Sequence, residues 1–211
     1  MPPANPTESP NVAEQPNAAE QRLIGVLERA QAEGALGAWP IPDVVAHARE
    51  FVAALPQEAT TVLDLGSGAG IPGLVIALDR PMAHLTLVDR RAKRVDALRR
   101  AVTALGWTAR VRAVEADADS LASQPEWAGS QDAVVARGFG PPEVTLAVAA
   151  RLARVGGWVI ISEPPADQPS RWDPALLRQV GVGDPERHGR VVRFHVERSP
   201  DPAHPWGTVR G

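Results

Sequence analysis

The spacing of hydrophobic residues changes after Pro56 and divides the chain into two regions. Before that point, Leu23 and Leu27 recur at helical spacing, and a second helical pattern runs from Asp43 to Leu55. Asp43 is of a residue type that commonly caps a helix N-terminus. We therefore predict two helices within residues 20–56, both packed against one face of the region that follows.

Beyond residue 57, short apolar runs alternate with amphipathic segments, a pattern typical of parallel β-strands joined by crossover helices. The amphipathic segments predict helices over Ala92–Leu105, Glu143–Val155 and Pro174–Val180. The apolar runs predict five strands: Thr61–Leu65, His84–Asp89, Arg110–Val114, Asp132–Ala136 and Trp158–Ser162. The alternation predicts an α/β fold.

The last two apolar runs leave no room for a helix between them. Val180–Val182 and Val191–Val196 flank a short connection at Pro185–Gly189, so we predict that they pair as an antiparallel hairpin. The complete prediction is a mostly parallel seven-stranded sheet with a C-terminal antiparallel hairpin and a short N-terminal helical cap. This Rossmann-like arrangement is that of class I methyltransferases.

The N-terminal segment is rich in proline and polar residues, and it offers little apolar surface to offset the entropy of ordering it. We expect a disordered tail over residues 1–19, helices over 20–56 and a cofactor-binding domain over 57–211. No apolar run approaches the ~20 residues of a membrane span, and the start lacks the features of a signal peptide. We expect a cytoplasmic protein without membrane contact, and we assume a monomer.

The composition excludes several kinds of chemistry. The chain has no cysteine, which rules out disulfides, thiolate metal sites and cysteine nucleophiles. Its five histidines are scattered and show no metal-ligand spacing, so we expect no metal. The formal net charge of −3 means that any contact with nucleic acid must come from a local basic patch.

A glycine-rich loop connects the first predicted strand to a helix. Asp64-Leu65 ends the strand, Gly66-Ser67-Gly68-Ala69-Gly70 forms the loop, and Pro72 follows where the first turn of a helix tolerates proline. Glycines let the backbone turn sharply and approach a ligand closely. A tight turn is the alternative for an isolated Gly-x-Gly, but the strand before the loop and the helix after it favour a cofactor site.

The charge of the ligand distinguishes the two candidate cofactors, a dinucleotide and S-adenosylmethionine. The dinucleotide motif needs a third glycine at the position that Ile71 occupies, and Asp64 would bring a carboxylate close to a pyrophosphate. S-adenosylmethionine instead carries a positive ammonium and sulfonium, which suit Asp64. We therefore predict S-adenosylmethionine, held through Asp64, Gly66 and Gly68.

Three later strand ends supply further candidates for cofactor contacts. Asp89 ends the second strand about 20 residues past the loop, where an acid accepts hydrogen bonds from ribose hydroxyls. Asp117 follows the third strand and could accept the adenine amino group, although Glu115 and Asp119 are alternatives. Arg137 follows the fourth strand and could face the cofactor or the substrate.

An extended motif resembles the glucose-inhibited division protein B family. The segment Asp64-Leu65-Gly66-Ser67-Gly68-Ala69-Gly70-Ile71-Pro72-Gly73 is followed by Leu87-Val88-Asp89 and Lys93-Arg94, and Ala136-Arg137-Gly138-Phe139 is similar to the family's Ser-Arg-Ala-Phe. The resemblance implies methylation of guanine N7 in small-subunit ribosomal RNA, with this RNA or the 30S subunit as partner. It also implies cofactor contacts at Gly66, Ile71, Ala116, Asp117 and Arg137.

The chain departs from the family at positions where the family carries cations. Glu115 replaces an arginine, and Glu163-Pro164 replaces Lys-Gly after the fifth strand. A basic helix from Arg90 to Arg100 remains, and its charge could bind phosphates or could simply be a solvated face. Arg99 and Arg100 are our candidates for substrate contact.

Methylation of guanine N7 requires no catalytic base, because the nitrogen already has a free lone pair. Alignment and proximity can then supply catalysis, which is consistent with a chain that shows no acid–base constellation. We assign no catalytic residue. The alternatives are a methyltransferase for a small molecule or a protein, and a non-catalytic module that binds the cofactor.

Overall fold

The computed structural model describes residues 17–165, 167–168 and 170–198, and these form one seven-stranded sheet with helices on both faces. The helices are α1 (Ala18–Ala32), α2 (Ile41–Ala54), α3 (Gly73–Asp79), α4 (Ala92–Leu105), α5 (Ala118–Ala122), α6 (Pro142–Leu152) and α7 (Pro174–Val180). The strands are β1 (Thr61–Leu65), β2 (His84–Asp89), β3 (Val111–Glu115), β4 (Gln131–Ala136), β5 (Ala153–Ser162), β6 (Glu186–His188) and β7 (Val191–His195).

The strand order is β3-β2-β1-β4-β5-β7-β6. Strands β1 to β5 are parallel, and β7 is antiparallel to both β5 and β6. The predicted Rossmann-like fold is therefore confirmed, including its C-terminal antiparallel hairpin. The strands β1 and β2 and the helices α4 and α7 have the predicted bounds, and β3 is shifted by one residue.

The predicted hairpin is wrong in its first strand. Strand β6 is Glu186–His188, inside the segment that we expected to be a connection, whereas Val182 forms only an isolated bridge with Val196. This edge strand is polar, so it lacks the apolar run by which strands are recognised in sequence. Strand β6 pairs with β7, and an ion pair of 2.6 Å between Glu186 and Arg193 also links the two strands.

The predicted helix over Glu143–Val155 is too long at its C-terminus. Helix α6 ends at Leu152, and Ala153 is extended and pairs with Gln131 of β4. Alanine and valine are compatible with either a helix end or a strand start at this point, so local sequence could not separate them. Pairing with β4 decides the conformation.

The two N-terminal helices begin earlier than predicted. Helix α1 starts at Ala18, and Asn17 caps it by accepting hydrogen bonds of 3.0 Å from two backbone amides. Part of the segment 1–19 is thus helical, and residues 1–16 lie outside the described residues. Asp43 is not the N-cap of α2, because the helix starts at Ile41 after Pro40 and Asp43 lies in its first turn.

The sheet separates two hydrophobic clusters. One contains buried residues of α1 to α4, including Leu23 and Phe51, and the other contains buried residues of α5 to α7, including Leu146. Successive residues of β4 alternate between them, with Val135 in the first cluster and Val134 in the second. The two N-terminal helices therefore pack on one face, as predicted. Among the described residues, none of the helices is long and apolar enough to cross a bilayer.

Asp132 in β4 holds the start of β1 and the start of β5. Its Oδ2 accepts hydrogen bonds of 2.9 Å from the backbone amides of Thr60 and Thr61, and both threonine hydroxyls also donate to it. Its Oδ1 accepts a bond of 2.8 Å from Arg154 Nε. Burial opposes ionisation, but these donors together lower the pKa of Asp132 below its ordinary value.

We predict that Asp132→Ala lowers the free energy of unfolding by about 2–3 kcal/mol, because several donors lose a charged acceptor. A carboxylate with a lowered pKa stabilises the fold at neutral pH, and this contribution decreases progressively as the pH falls from about 4 toward the lowered pKa of the folded state. Urea unfolding at pH 7 and pH 3 measures both effects. Asp96→Ala is the matched control, since its carboxylate is exposed and pairs with Arg99 alone in the part of the chain that the structure describes. Equal losses in the two variants would contradict the prediction.

Candidate cofactor and substrate site

A cleft lies where the strand order reverses. Strand β1 has β2 on one side and β4 on the other, so the connections after β1 and β4 diverge and leave a crevice at the carboxyl edge of the sheet. The cleft has a volume of about 580 Å³, within the ordinary range for small-molecule sites. The residues that follow β1, β2, β3 and β4 line it, and they include Gly66, Asp89, Ala116, Asp117 and Phe139.

The glycine loop after β1 approaches the opposite wall of this cleft closely. Gly66 has a φ of +71°, and a Cβ there would lie 2.7 Å from Cδ2 of Phe139. Only glycine satisfies both conditions, since a side chain would be strained in this conformation and would also meet the ring. The loop is closed by Ser67, whose amide donates to the carbonyl of Val88 over 2.8 Å.

Asp64 is buried beneath the loop with one carboxylate oxygen free. Its Oδ2 accepts a hydrogen bond of 3.0 Å from the amide of Gly73, at the start of α3. Its Oδ1 is buried and has no hydrogen-bond partner among the described residues. Burial raises the pKa of Asp64 to about 7, although the Gly73 amide opposes this shift. A cationic ligand beside Oδ1 would supply the missing partner.

Asp89 at the end of β2 fixes the other end of the loop. Its Oδ2 accepts a bond of 3.0 Å from the amide of Gly68, and its Oδ1 accepts one of 2.9 Å from the amide of Arg91. Arg94 lies 3.5 Å from Oδ2. Each carboxylate oxygen can accept a second hydrogen bond, so Asp89 can still receive hydroxyl groups from a ligand in the cleft.

The segment after β3 contains the three acids that are candidates to accept the adenine amino group. Asp117 lines the cleft and caps α5 by accepting a 3.0 Å bond from the amide of Ser120. Asp119 also lines the cleft but forms an ion pair of 3.2 Å with Arg151. Glu115 is exposed and is not among the residues that line the cleft. The geometry therefore favours Asp117, with Ala116 beside it.

Two predicted loop residues do not face the cleft. The side chain of Ile71 is buried in the core with α3 and α4. Gly68 borders a separate groove between α1 and α4, and its amide is already bonded to Asp89. These residues shape the loop, and any ligand contact would have to come from their backbone.

Arg137 lies on the α2 side of the loop rather than in the cleft itself. It is partly buried, its charge acts on both Asp64 and His47, and it has no hydrogen bond or ion pair within the described part of the chain. Burial lowers the pKa of Arg137 below its ordinary value, while the Asp64 carboxylate opposes the shift. An unpaired, partly buried guanidinium can bind an anion or a carbonyl oxygen.

His47 from α2 faces the same region. Its Nε2 is buried without a hydrogen-bond partner among the described residues, and burial together with the Arg190 charge lowers its pKa below the ordinary value. His47 is therefore neutral at pH 7. Hydrophobic spacing and composition did not mark His47 as a functional residue.

Arg99 and Arg100 are not brought to the cleft. Arg99 pairs with Asp96 over 3.2 Å on the exposed surface of α4, and Arg100 borders the groove between α1 and α4. The first turn of α4 does reach the cleft, through Arg91 and Arg94. Sequence reasoning also missed the role of Gly73, because its amide meets Asp64 only once the loop between them has turned.

Comparison with solved structures supports the same fold. A solved structure described as a SAM-dependent methyltransferase from Aquifex aeolicus has a TM-score of 0.53 and 16% identity, over 71% of this chain and 89% of that one. At this identity the likeness concerns the fold alone.

Sequence relatives identify the family. A protein named ribosomal RNA small subunit methyltransferase G from Myxococcus xanthus is 36% identical over 85% of this chain and 80% of its own length. A protein of the same name from Rhizorhabdus wittichii is 41% identical over 43% of this chain and 40% of its own length. The GidB family model, described as rRNA small subunit methyltransferase G, matches residues 45–163, which contain the loop, Asp89, Asp117 and Arg137. The chain therefore belongs to the GidB family.

Proposed function

We propose that this protein transfers the methyl group of S-adenosylmethionine to guanine N7 of small-subunit ribosomal RNA. The observation that carries the proposal is the buried Oδ1 of Asp64, which has no hydrogen-bond partner among the described residues and directly precedes Leu65 and Gly66 in the cleft wall, in a chain of the GidB family. S-adenosylmethionine supplies an electrophilic methyl group on a sulfonium.

The residues around the cleft fit this cofactor along its whole length. Asp64 would hold the methionine ammonium, and Arg137 beside it would hold the methionine carboxylate. Asp89 would accept the ribose hydroxyls, and Asp117 would accept the adenine amino group next to Ala116. The backbone of Gly66, Gly68 and Ile71 would complete the site from the loop.

Charge disfavours a dinucleotide at the same place. Two carboxylates, Asp64 and Asp89, hold the two ends of the loop, which would bring negative charge next to a pyrophosphate. A loop that binds pyrophosphate uses free amides, but the amides of Gly68 and Gly73 already donate to these carboxylates. The loop therefore presents acceptors to a cation.

Methyl transfer to guanine N7 requires the protein to position the base but does not require it to remove a proton. The nitrogen lone pair is available without deprotonation, so the residues only need to align the base and exclude water. His47 and Arg137 lie on the α2 side of Asp64, where the base would enter. The free guanidinium of Arg137 can donate a hydrogen bond to an oxygen of the base, whereas neutral His47, which already donates to the Arg190 backbone, can accept one at Nε2.

We predict that S-adenosylmethionine raises the melting temperature and that NAD does not, since binding to the folded state stabilises it.

Asp89→Ala should weaken cofactor binding roughly tenfold to a hundredfold, because the ribose hydroxyls and two backbone amides lose a charged acceptor. Titration calorimetry measures the affinity, and circular dichroism checks the fold. Asp96→Ala serves as the control. Unchanged affinity in a folded Asp89 variant would show that this carboxylate only fixes the loop.

We predict that cofactor affinity depends on the ionisation of Asp64. With a pKa of about 7, its carboxylate becomes charged between pH 5.5 and pH 7, so affinity should rise roughly tenfold over that range. Asp64→Asn should bind more weakly and show no such rise. Calorimetry at several pH values provides the measurement.

Although Asp64→Asn should weaken cofactor binding, we predict that it does not lower, and can raise, the stability of the fold. A folded-state pKa raised above the unfolded value means that the fold loses stability as the pH rises from about 4 through 7. Asp64→Asn removes that cost, so at pH 8 without cofactor its melting temperature should equal or exceed that of the wild type. A lower melting temperature would indicate a structural role for the charge.

We predict methyl transfer to unmodified small-subunit ribosomal RNA, tested both as 30S subunits and as free RNA with radiolabelled cofactor. Borohydride and aniline cleavage should map the label to N7-methylguanine. Transfer to 30S alone would identify the assembled subunit as the partner. Label in a small-molecule panel or a protein, with none in RNA, would overturn the ribosomal assignment. Cofactor binding without any transfer would instead indicate a binding module.

A further inference from the structure

Four arginines from separate segments lie along one edge of the sheet. Arg137 follows β4, Arg171 precedes α7, Arg187 belongs to β6, and Arg190 lies in the turn before β7. Val191 is paired with Ser162, the last residue of β5, so the β6–β7 turn lies at the carboxyl edge where the cofactor cleft opens. We call Arg137, Arg171, Arg187 and Arg190 the arginine edge.

Glu163 holds two of these arginines in fixed positions. Its carboxylate is 2.6 Å from Arg171 and 3.8 Å from Arg187, and the Glu163 side chain is only 6% exposed. Arg171 also donates to the carbonyl of Ser162 over 2.7 Å, and Arg187 donates to the carbonyl of Pro164 and, over 3.0 Å, to that of Gly189. One buried acid thus orients two cations.

Glu50 holds the third arginine in the same manner. It forms an ion pair of 2.7 Å with the guanidinium of Arg190 and accepts a hydrogen bond from the Arg190 amide, which joins α2 to the β6–β7 turn. These donors lower the pKa of Glu50 below its ordinary value, although burial opposes them. Each glutamate therefore fixes the orientation of the guanidinium groups that it binds.

The arginine edge keeps positive charge after this pairing. Arg171, Arg187 and Arg190 face two glutamates, which leaves a surplus of one positive charge, and Arg137 adds a further positive charge beside Asp64. Arg171, Arg187 and Arg190 are 32%, 36% and 51% exposed, so their remaining N–H groups reach solvent. A guanidinium that is already oriented loses little freedom when it binds a phosphate.

On helix α4, the other basic surface, the candidates Arg99 and Arg100 are less well placed. Arg99 lies about 10 Å along the helix axis from its first turn, given a rise of ~1.5 Å per residue, and that first turn is the part that borders the cleft. Arg100 faces a groove on the side of α1. The arginine edge instead includes Arg137 and adjoins His47, where a substrate base would enter.

We propose that the arginine edge binds the phosphates of the RNA strand that carries the target guanine. This inference rests on the proposed function, since it identifies the surface that holds the substrate of the same site. RNA phosphates match the bidentate geometry of a guanidinium, and the surplus charge supplies the electrostatic attraction that a chain of net charge −3 lacks overall.

The test compares two double variants that remove the same charge. Arg171→Gln with Arg187→Gln alters the arginine edge, and Arg99→Gln with Arg100→Gln alters α4. Binding of unmodified, protein-free small-subunit ribosomal RNA is measured over a series of salt concentrations. We expect the arginine-edge variant to bind about tenfold more weakly, with a salt slope shallower by about 1.4, since two phosphate contacts to a single strand are lost. The α4 variant should stay within about twofold of the wild type.

Cofactor affinity and melting temperature are measured in parallel to show that each variant is folded. If the arginine-edge double variant unfolds, Arg187→Gln alone replaces it, with an expected slope change of about 0.7. Wild-type RNA binding by a folded arginine-edge variant, or a larger loss in the α4 variant, would overturn the inference while leaving the proposed function intact. Failure of the wild-type protein to bind or methylate this RNA would overturn both.

Discussion

Two buried carboxylates hold the glycine loop, and the rest of the site depends on them. Asp64 at the end of β1 binds the amide of Gly73, and Asp89 at the end of β2 binds the amide of Gly68. The loop is thereby fixed at both ends, and its sharp turn at Gly66 can approach Phe139 across the cleft. Burying Asp64 without a cation is unfavourable, as its raised pKa shows. The site therefore favours a positively charged ligand.

The same edge of the sheet gathers the groups that suit a large anionic substrate. Because β7 runs antiparallel to β5, the β6–β7 turn comes back to the carboxyl edge and brings Arg190 close to α2. Glu163 stands where the family carries a lysine, yet the structure surrounds it with Arg171 and Arg187. A position interpreted from sequence as a lost cation is thus an acid that organises two cations. A net negative chain can in this way carry a locally basic surface.

The elements that sequence predicted best are those whose hydrophobic spacing is set by burial. Strands β1 and β2 are buried on both faces and α4 has one apolar face, so their bounds were correct. The errors fall where pairing partners decide the conformation: the polar edge strand β6, and Ala153, which pairs with Gln131 instead of extending α6. Asp43 likewise lies inside α2, because the proline-rich start allowed the helix to begin two residues earlier.

The fold class, the family and the choice of S-adenosylmethionine over a dinucleotide follow from the sequence alone, because these depend on local features: alternating strands and helices, closely spaced glycines and an acid at a strand end. Which charges meet depends on the folded arrangement of the strands and helices. Glu50 and Arg190 are 140 positions apart, and Arg187 lies 24 positions after Glu163 with α7 between them. Such pairs are set by strand order and direction, which hydrophobic spacing does not encode, so the arginine edge could not be recognised from the sequence.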